Sequence, residues 1–173
     1  MVKKRFWLLV LILLGAALIF THVRWVKQDD RLIFEVDGRK VDLMGIIKNQ
    51  LTQITRDCRA VSRLEPDHPK HLNALGVIRD YSPPQSGSGQ LISVWSSANW
   101  LLVEAEFTEL LPAVVLLHNR QGQWQVVPHA TWSGSVQPWK AAPLIRTYMT
   151  RQAPDVPPAL LDCFEPQSKY FKT

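Results

Sequence analysis

The first hydrophobic feature of the chain is an apolar run from Phe6 to Val23, which only Thr21 and His22 interrupt. As a helix rising ~1.5 Å per residue, these 18 residues would span about 27 Å, close to the ~30 Å hydrocarbon core of a bilayer. The basic residues Lys3-Lys4-Arg5 precede the run, and they predict that residues 1–5 stay in the cytoplasm. The pattern therefore predicts an export signal with the rest of the chain beyond the membrane.

Two fates of this run are open. The small residues Gly15-Ala16-Ala17 are typical of a signal-peptidase site, so the segment would be removed and the protein secreted. The apolar pattern continues past that site through Phe20, which favours an uncleaved signal-anchor transmembrane helix over residues 6–23. The sequence therefore favours a single-pass protein of a bacterial inner membrane, with its C-terminal domain in the periplasm or outside the cell.

Beyond the run, a short linker over residues 24–30 leads into an α+β domain predicted for residues 31–165. Asp37-Gly38 separates the apolar segment 32–36 from a short returning strand predicted over 39–42, and this dipeptide is the preferred turn of a tight β-hairpin. The hairpin is therefore the first predicted element of the domain.

The next segment is predicted to be a long helix over residues 43–64. Apolar residues recur there at spacings of three and four, the period of an amphipathic helix. These residues are Leu43, Ile46, Ile47, Leu51, Ile54, Cys58 and Val61. We expect this stripe to face the core.

The following region predicts a charge-poor antiparallel meander. Residues 71–81 are ambiguous between helix and strand, and a loop rich in Ser, Pro and Gly follows. Short apolar segments bounded by turn residues then predict four strands. These strands cover residues 91–96, 100–107, 112–118 and 123–127, and they are followed by a helix over 138–152, a short turn over 159–164 and a flexible tail over 166–173.

A long helix followed by an antiparallel meander predicts the α+β class, with one layer packed on another. In layout, residues 43–130 resemble the cystatin-like and nuclear-transport-factor-2-like families, including the Trp-bearing strand Gly122-Gln123-Trp124-Gln125-Val126-Val127. The resemblance implies a curved sheet wrapped around a long helix. Such folds serve as enzymes, as ligand-binding proteins and as membrane-tethered assembly modules, so the layout alone selects no function.

Charge and cysteine content narrow the classes of partner. The net charge of +5 is concentrated at the N-terminus, because residues 24–173 carry 17 basic and 15 acidic side chains. This balance argues against nucleic-acid binding, which needs a basic surface. Cys58 and Cys163 are the only cysteines, and in an exported chain an even count predicts a disulfide. Two unpaired buried thiols are the alternative.

Candidate catalytic and metal-binding groups are few. His68 and His71 have a spacing that can hold a metal on a helix, but Pro69 between them favours solvated loop histidines, and no metal or other cofactor is predicted. Glu104 and Glu106 share one face of a strand, where a solvated face is expected rather than a general acid. With His118 they are the residues to test if the protein is an enzyme.

The tryptophan residues are the most prominent feature that these patterns leave unexplained. Trp100 and Leu102 alternate with Leu101 and Val103 along one strand, so they lie on the opposite face. Either this face is exposed and forms an apolar patch for a partner, or the C-terminal helix covers it. The predicted binding residues are Trp100, Leu102, Trp95 and Trp124.

Together these patterns predict a membrane-anchored extracytoplasmic binding or assembly module, non-catalytic, that docks a protein partner at the inner membrane and contacts lipid through residues 6–23. The alternatives are a pocket protein for a small ligand or lipid and a hydrolase-like enzyme with the same fold.

Overall fold

The hairpin predicted at Asp37-Gly38 is present in the computed structural model, which describes residues 7, 10–12, 14–15, 22–28 and 31–171. Asp37 and Gly38 have φ angles of 49° and 79°, and a two-residue turn with positive φ at both positions suits the twist of the strands. The turn joins β2 (Arg31–Val36) to β3 (Arg39–Val41).

A third strand completes this small sheet. β1 (Val23–Gln28) pairs antiparallel with β2, so the polar linker expected over residues 24–30 is wrong for residues 24–28. Val26 pairs with the buried Ile33, and Trp25 packs edge-on against Phe34 with ring centroids 4.6 Å apart. These contacts explain why the segment is a strand.

The chain divides into two compact units, Met1–Met44 and Gly45–Thr173. The predicted domain, residues 31–165, spans the boundary between them. The basic segment 1–5 and most of the predicted anchor lie outside the described residues. Where the structure does describe the chain, it has no helix with the length and apolar character needed to span a bilayer.

The larger unit is built on a five-stranded antiparallel sheet in the order β4-β5-β6-β7-β8. Its strands are Ser62–Arg63, Gln90–Ser97, Trp100–Glu106, Ala113–Arg120 and Gln123–Ser133. The helices are α1 (Leu43–Thr55), α2 (Pro69–Tyr81), α3 (Ala141–Gln152) and α4 (Pro158–Cys163), and a 3₁₀ turn covers Gln85–Ser88. The predicted α+β class and the meander are confirmed.

Both faces of this sheet are covered. On one face, Leu101 and Val103 of β6 pack with Ala74 and Ile78 of α2. On the other, Leu102 lies in a second cluster formed largely by α3, α4 and the C-terminal residues. Because successive strand side chains alternate, the sheet contributes residues to two hydrophobic cores, one on each face.

The helix predicted over 43–64 is too long, since α1 ends at Thr55. Residues 62 and 63 instead form β4 and pair with β5, and Val61 packs against the core. Cys58 therefore follows the helix rather than lying on it. It still forms the predicted disulfide with Cys163, across a sequence separation of 105 residues.

The ambiguous segment 71–81 is helical. Pro69 occupies the first turn of α2, where its missing N–H removes no helical hydrogen bond, and the Nδ1 of His68 accepts a hydrogen bond from the backbone N–H of Lys70. Helix α2 therefore begins at a proline with a capped first turn.

Part of the segment 166–173, for which the sequence predicts a flexible tail, packs against the rest of the domain. Ser168 and Phe171 are buried, and Phe171 packs against Trp132 with ring centroids 5.5 Å apart. Residues 172 and 173 lie outside the described residues.

Candidate functional site

The four predicted binding residues do not form one surface. Leu102 has 0% exposure within the cluster under α3 and α4, so it forms no exposed patch with Trp100. Trp95, opposite Leu102 on β5, is partly buried in the same cluster. Its indole Nε1 is buried and finds no hydrogen-bond partner among the described residues.

Trp100 packs against this cluster too, and it lies with Trp124 near one end of the sheet. This end contains the β5–β6 and β7–β8 turns, and the N–H of Asn119 donates to the carbonyl of Asn99 at 2.8 Å. Trp100 stacks on His118 with ring centroids 4.1 Å apart and an interplanar angle of 20°. Both rings are partly exposed.

Trp124 belongs to the same end of the sheet but packs on the opposite face, against the cluster under α2. The Nζ of Lys70 lies 5.8 Å from the centre of its ring and also donates to the hydroxyl of Ser96 at 3.4 Å. We call Trp100, His118, Trp124 and Lys70 the tryptophan end. Each aromatic ring there is held by another side chain of the same protein.

Glu104 is not on a solvated face. Its carboxylate has 0% exposure and accepts hydrogen bonds from the Ser93 hydroxyl at 2.9 Å and from the backbone N–H groups of Gln167 and Ser168 at 2.8 Å each. Charge-assisted bonds of this kind are about twice as strong as neutral ones. Glu104 therefore fixes the C-terminal tail across the sheet.

Glu106 contributes to the same attachment, because it accepts a hydrogen bond from the hydroxyl of Ser168 at 2.6 Å. His118 is far from both carboxylates along the strands. Glu104 pairs with Val114, four residues from His118 on β7, which is about 13 Å at ~3.3 Å per residue. The three residues selected for an enzyme test therefore do not converge.

Arg146 is the main polar group that the sequence pattern missed. Its buried guanidinium donates to the carbonyls of Leu161 and Phe164, to the Asn49 amide oxygen and to Glu165, at 2.8–3.0 Å. Burial lowers its pKa, and the nearby charge of Glu165 partly opposes that change. Arg146 lies between Ala142 and Met149 at helical spacing, and that spacing was the available sign of its burial.

Helix α1 presents its apolar side outward. Its stripe consists of Ile46, Ile47, Leu51 and Ile54, and all four side chains are exposed, Leu51 by 58% and Ile54 by 77%. The residues that α1 buries are Gly45 and Asn49. The expectation that this stripe faces the core is therefore wrong.

The polar contacts of α1 explain its orientation. Asn49 binds Arg146, and the amide of Gln53 donates to Glu165 at 3.0 Å. Beside the stripe, an open groove of about 350 Å³ is lined by Lys48, Thr52 and Arg151 among others. We call Ile46, Ile47, Leu51 and Ile54 the apolar stripe of α1.

The expectation that His68 and His71 are solvated loop histidines is wrong for His71. His71 is buried on α2, and its Nδ1 has no hydrogen-bond partner among the described residues. Burial, with a smaller contribution from the charge of His68, lowers the pKa of His71. In the part of the chain that the structure describes, no three His, Cys, Asp or Glu side chains are grouped to hold a metal ion.

A cleft of about 200 Å³ lies at the end of the sheet opposite the tryptophan end. Glu106, Phe107, Leu111 and Tyr170 are among the residues that line it. Leu111 and Tyr170 are exposed, so the cleft is a shallow apolar depression with one carboxylate at its wall.

Comparison with known proteins identifies no relative: no protein-family model, curated protein or solved structure shows significant similarity to this chain.

Proposed function

We propose that this chain is a membrane-anchored extracytoplasmic module that docks a protein partner at a bacterial inner membrane. The observation that carries the proposal is the tryptophan end, where the stacked Trp100 and His118 rings remain partly exposed. Trp is enriched among the residues that dominate protein–protein binding energies. We therefore assign partner docking to this end of the sheet.

The rings of the tryptophan end are held before a partner arrives. Trp100 is stacked on His118, and Trp124 is packed against the core beneath Lys70. A side chain that is already ordered loses less conformational entropy on binding, so more of its contact energy contributes to affinity. This preorganisation would lower the entropic cost of docking at the tryptophan end.

Two features support the membrane and extracytoplasmic parts of the proposal. The apolar run over residues 6–23 follows the basic residues 3–5, an arrangement that directs the C-terminal part across the membrane. The Cys58–Cys163 bond is of the kind that persists in oxidising compartments such as the periplasm. Lipid contact is assigned to residues 6–23.

The cleft beside Glu106 is the observation that favours the second candidate, a pocket for a small ligand or lipid. Its volume of about 200 Å³ falls below the ~300–1,000 Å³ of usual ligand pockets. Its carboxylate is already bonded to Ser168. We therefore place a pocket protein or hydrolase-like enzyme second, and the layout resemblance to the cystatin-like and nuclear-transport-factor-2-like families favours neither candidate.

The docking proposal is tested with Trp100→Ala in the full chain, tagged and expressed in its membrane. Tyr170→Ala is the matched control, because Tyr170 is an exposed aromatic residue at the opposite cleft. We expect Trp100→Ala to weaken partner cross-linking at least tenfold, a typical effect for a central interface residue, and Tyr170→Ala to leave it unchanged. Equal cross-linking by both variants would contradict docking at the tryptophan end.

Thermal melts of the same variants separate docking from folding. If Trp100 acts through a partner, its truncation leaves most of the stability in place. Truncating a fully buried Trp instead costs about 3–5 kcal/mol. A loss of that size in the isolated chain would assign Trp100 to the core and remove the main support for the proposal.

The membrane topology has its own test. A reporter that is active only after export, fused after Thr173, should be active when residues 1–23 are intact. Activity from a reporter that works only in the cytoplasm would contradict the extracytoplasmic assignment.

A further inference from the structure

We infer that α1 lies on the surface of the bilayer, with its apolar stripe in the interface and Lys48 at the level of anionic phospholipid headgroups. This goes beyond the docking of a protein partner, and it shares with that proposal only the membrane anchor. The inference begins from the outward orientation of α1. Asn49 and Gln53 tie the polar side of the helix to Arg146 and Glu165, so the apolar stripe faces away from these bonds.

The charge of α1 matches an anionic lipid surface. Helix α1, residues 43–55, contains one basic residue, Lys48, and no acidic residue. Lys48 is three residues before Leu51, so the two side chains are neighbours on the helix surface. A helix with apolar residues on one side and a lysine at its border has the pattern that binds in the plane of a bilayer interface.

The groove beside the stripe extends this complementarity. Lys48 and Arg151 line it together with Asp162, while the hydroxyls of Thr52, Thr147 and Thr150 donate to backbone carbonyls of the protein. Ammonium and guanidinium groups donate hydrogen bonds to phosphate oxygens. Lys48 and Arg151 therefore offer donors to lipid phosphates next to the side chains that would enter the apolar layer.

The small sheet brings Trp25 close to Val41. Val41 pairs with Phe34, which pairs with Trp25 on the other side. Since neighbouring strands are ~4.8 Å apart, Val41 and Trp25 are separated by about 10 Å across the sheet. Trp25 follows the apolar run by two residues, and α1 begins two residues after Val41.

The size of the stripe favours a lipid surface over a protein partner at this site. With Leu43 and Met44, α1 exposes six large apolar side chains, far fewer than the roughly 20–30 residues that each side of a stable protein interface contributes. A bilayer needs no complementary shape, and binding to it grows with each apolar side chain and each basic group added to an existing anchor. The occupant that fits is therefore the anionic membrane surface itself.

The test uses the full chain reconstituted in vesicles of phosphatidylcholine with phosphatidylglycerol. An environment-sensitive fluorophore is attached at Ile54→Cys, and quencher-bearing lipids report whether the label enters the bilayer. Leu72→Cys is the matched control, because Leu72 is an exposed apolar residue of another helix, α2. We expect quenching at position 54 and none at position 72.

The charge requirement is tested in the same vesicles. Lys48→Gln should lower the ratio of docked to undocked α1 about fivefold, the effect of one basic residue near an anionic surface. Lys169→Gln, at an exposed lysine of the C-terminal tail, should leave the ratio unchanged. In vesicles of phosphatidylcholine alone the two variants should behave alike.

Three outcomes would overturn the inference. If the chain does not float with the vesicles, both the anchor and the bilayer contact of α1 are wrong. If it floats while the label at position 54 remains in water, only the inference on α1 fails. If that label is shielded equally without quencher lipids, and cross-links to a second copy, the stripe is an interface between protein chains.

Discussion

Helices α1 and α3 have similar lengths and similar amphipathic patterns, but they bury opposite kinds of face. Helix α3 packs Ile145 and Met149 into the core under the sheet. Helix α1 buries Gly45 and Asn49 and leaves its apolar stripe in solvent. The two helices meet through a polar contact, the bond from Arg146 to the Asn49 amide oxygen at 2.9 Å.

The difference shows that periodicity marks two faces of a helix without saying which one is buried. The hydrophobic effect has no direction, so any apolar surface can bury this face of the sheet. Helices α3 and α4 and the C-terminal tail provide that surface. A buried guanidinium requires specific partners, since each of its N–H donors needs a hydrogen-bond acceptor. Asn49 is one of those acceptors, and this requirement turns the polar side of α1 inward.

The largest expected effect comes from removing the group that joins the two helices. Arg146→Leu removes the guanidinium that donates to the carbonyls of Leu161 and Phe164 and to the carboxylate of Glu165. We expect a loss of about 3–5 kcal/mol in the free energy of unfolding, measured by urea denaturation in detergent. Arg151→Leu, at an exposed position of α3, should change it by less than about 0.5 kcal/mol. Similar losses of stability in both variants would show that Arg146 does not join α1 to α3.

The next prediction compares the stability cost of truncating one apolar side chain on each of the two helices. Ile145→Ala on α3 should cost about 2–5 kcal/mol, because it leaves a cavity in the core. Ile54→Ala on α1 should cost less than about 0.5 kcal/mol, since the side chain is already exposed. Urea denaturation of the two variants, without lipid, checks the comparison. A cost above about 2 kcal/mol for Ile54→Ala would mean that the stripe is part of the core.

A smaller effect is expected at the polar side of α1. Asn49→Ala removes the acceptor of a buried guanidinium bond, at a cost of about 1–3 kcal/mol. Gln50→Ala, one residue further along and exposed, is the control and should be neutral. The temperature of thermal unfolding distinguishes the two. Helix α1 would be held by something other than this bond if Asn49→Ala proved as stable as the control.

The smallest effect concerns α2, which buries a histidine rather than an arginine. Burial lowers the pKa of His71 below its ordinary value of 6.5, so below about pH 6.5 the unfolded chain binds a proton that the folded chain does not. Stability should therefore fall as the pH decreases from about 6.5, by at most about 1.4 kcal/mol per pH unit from this group, until the folded protein also binds the proton. Denaturation curves between pH 7.5 and 5 should show this slope reduced in His71→Leu and retained in the control His129→Asn, at an exposed position. An unchanged slope in His71→Leu would assign the pH dependence to other groups.

Local features of the fold could be predicted from the sequence because they depend on neighbouring residues. The Asp37-Gly38 turn follows from the positive φ angles that a two-residue hairpin requires. The alternation of Leu101 and Val103 with Leu102 follows from strand geometry. The Cys58–Cys163 pair follows from there being only two cysteines in the chain.

Three further features depended on residues that are distant in sequence. Residues 62 and 63, predicted to end the first helix, instead pair with β5. Glu104 is buried because the backbone of residues 167 and 168 supplies its hydrogen bonds. The stripe of α1 is exposed because Arg146, about 100 residues later, requires Asn49. Sequence patterns determined which faces exist, and only the tertiary structure decided which were buried, because a buried charge is stable only where distant groups complete its hydrogen bonds.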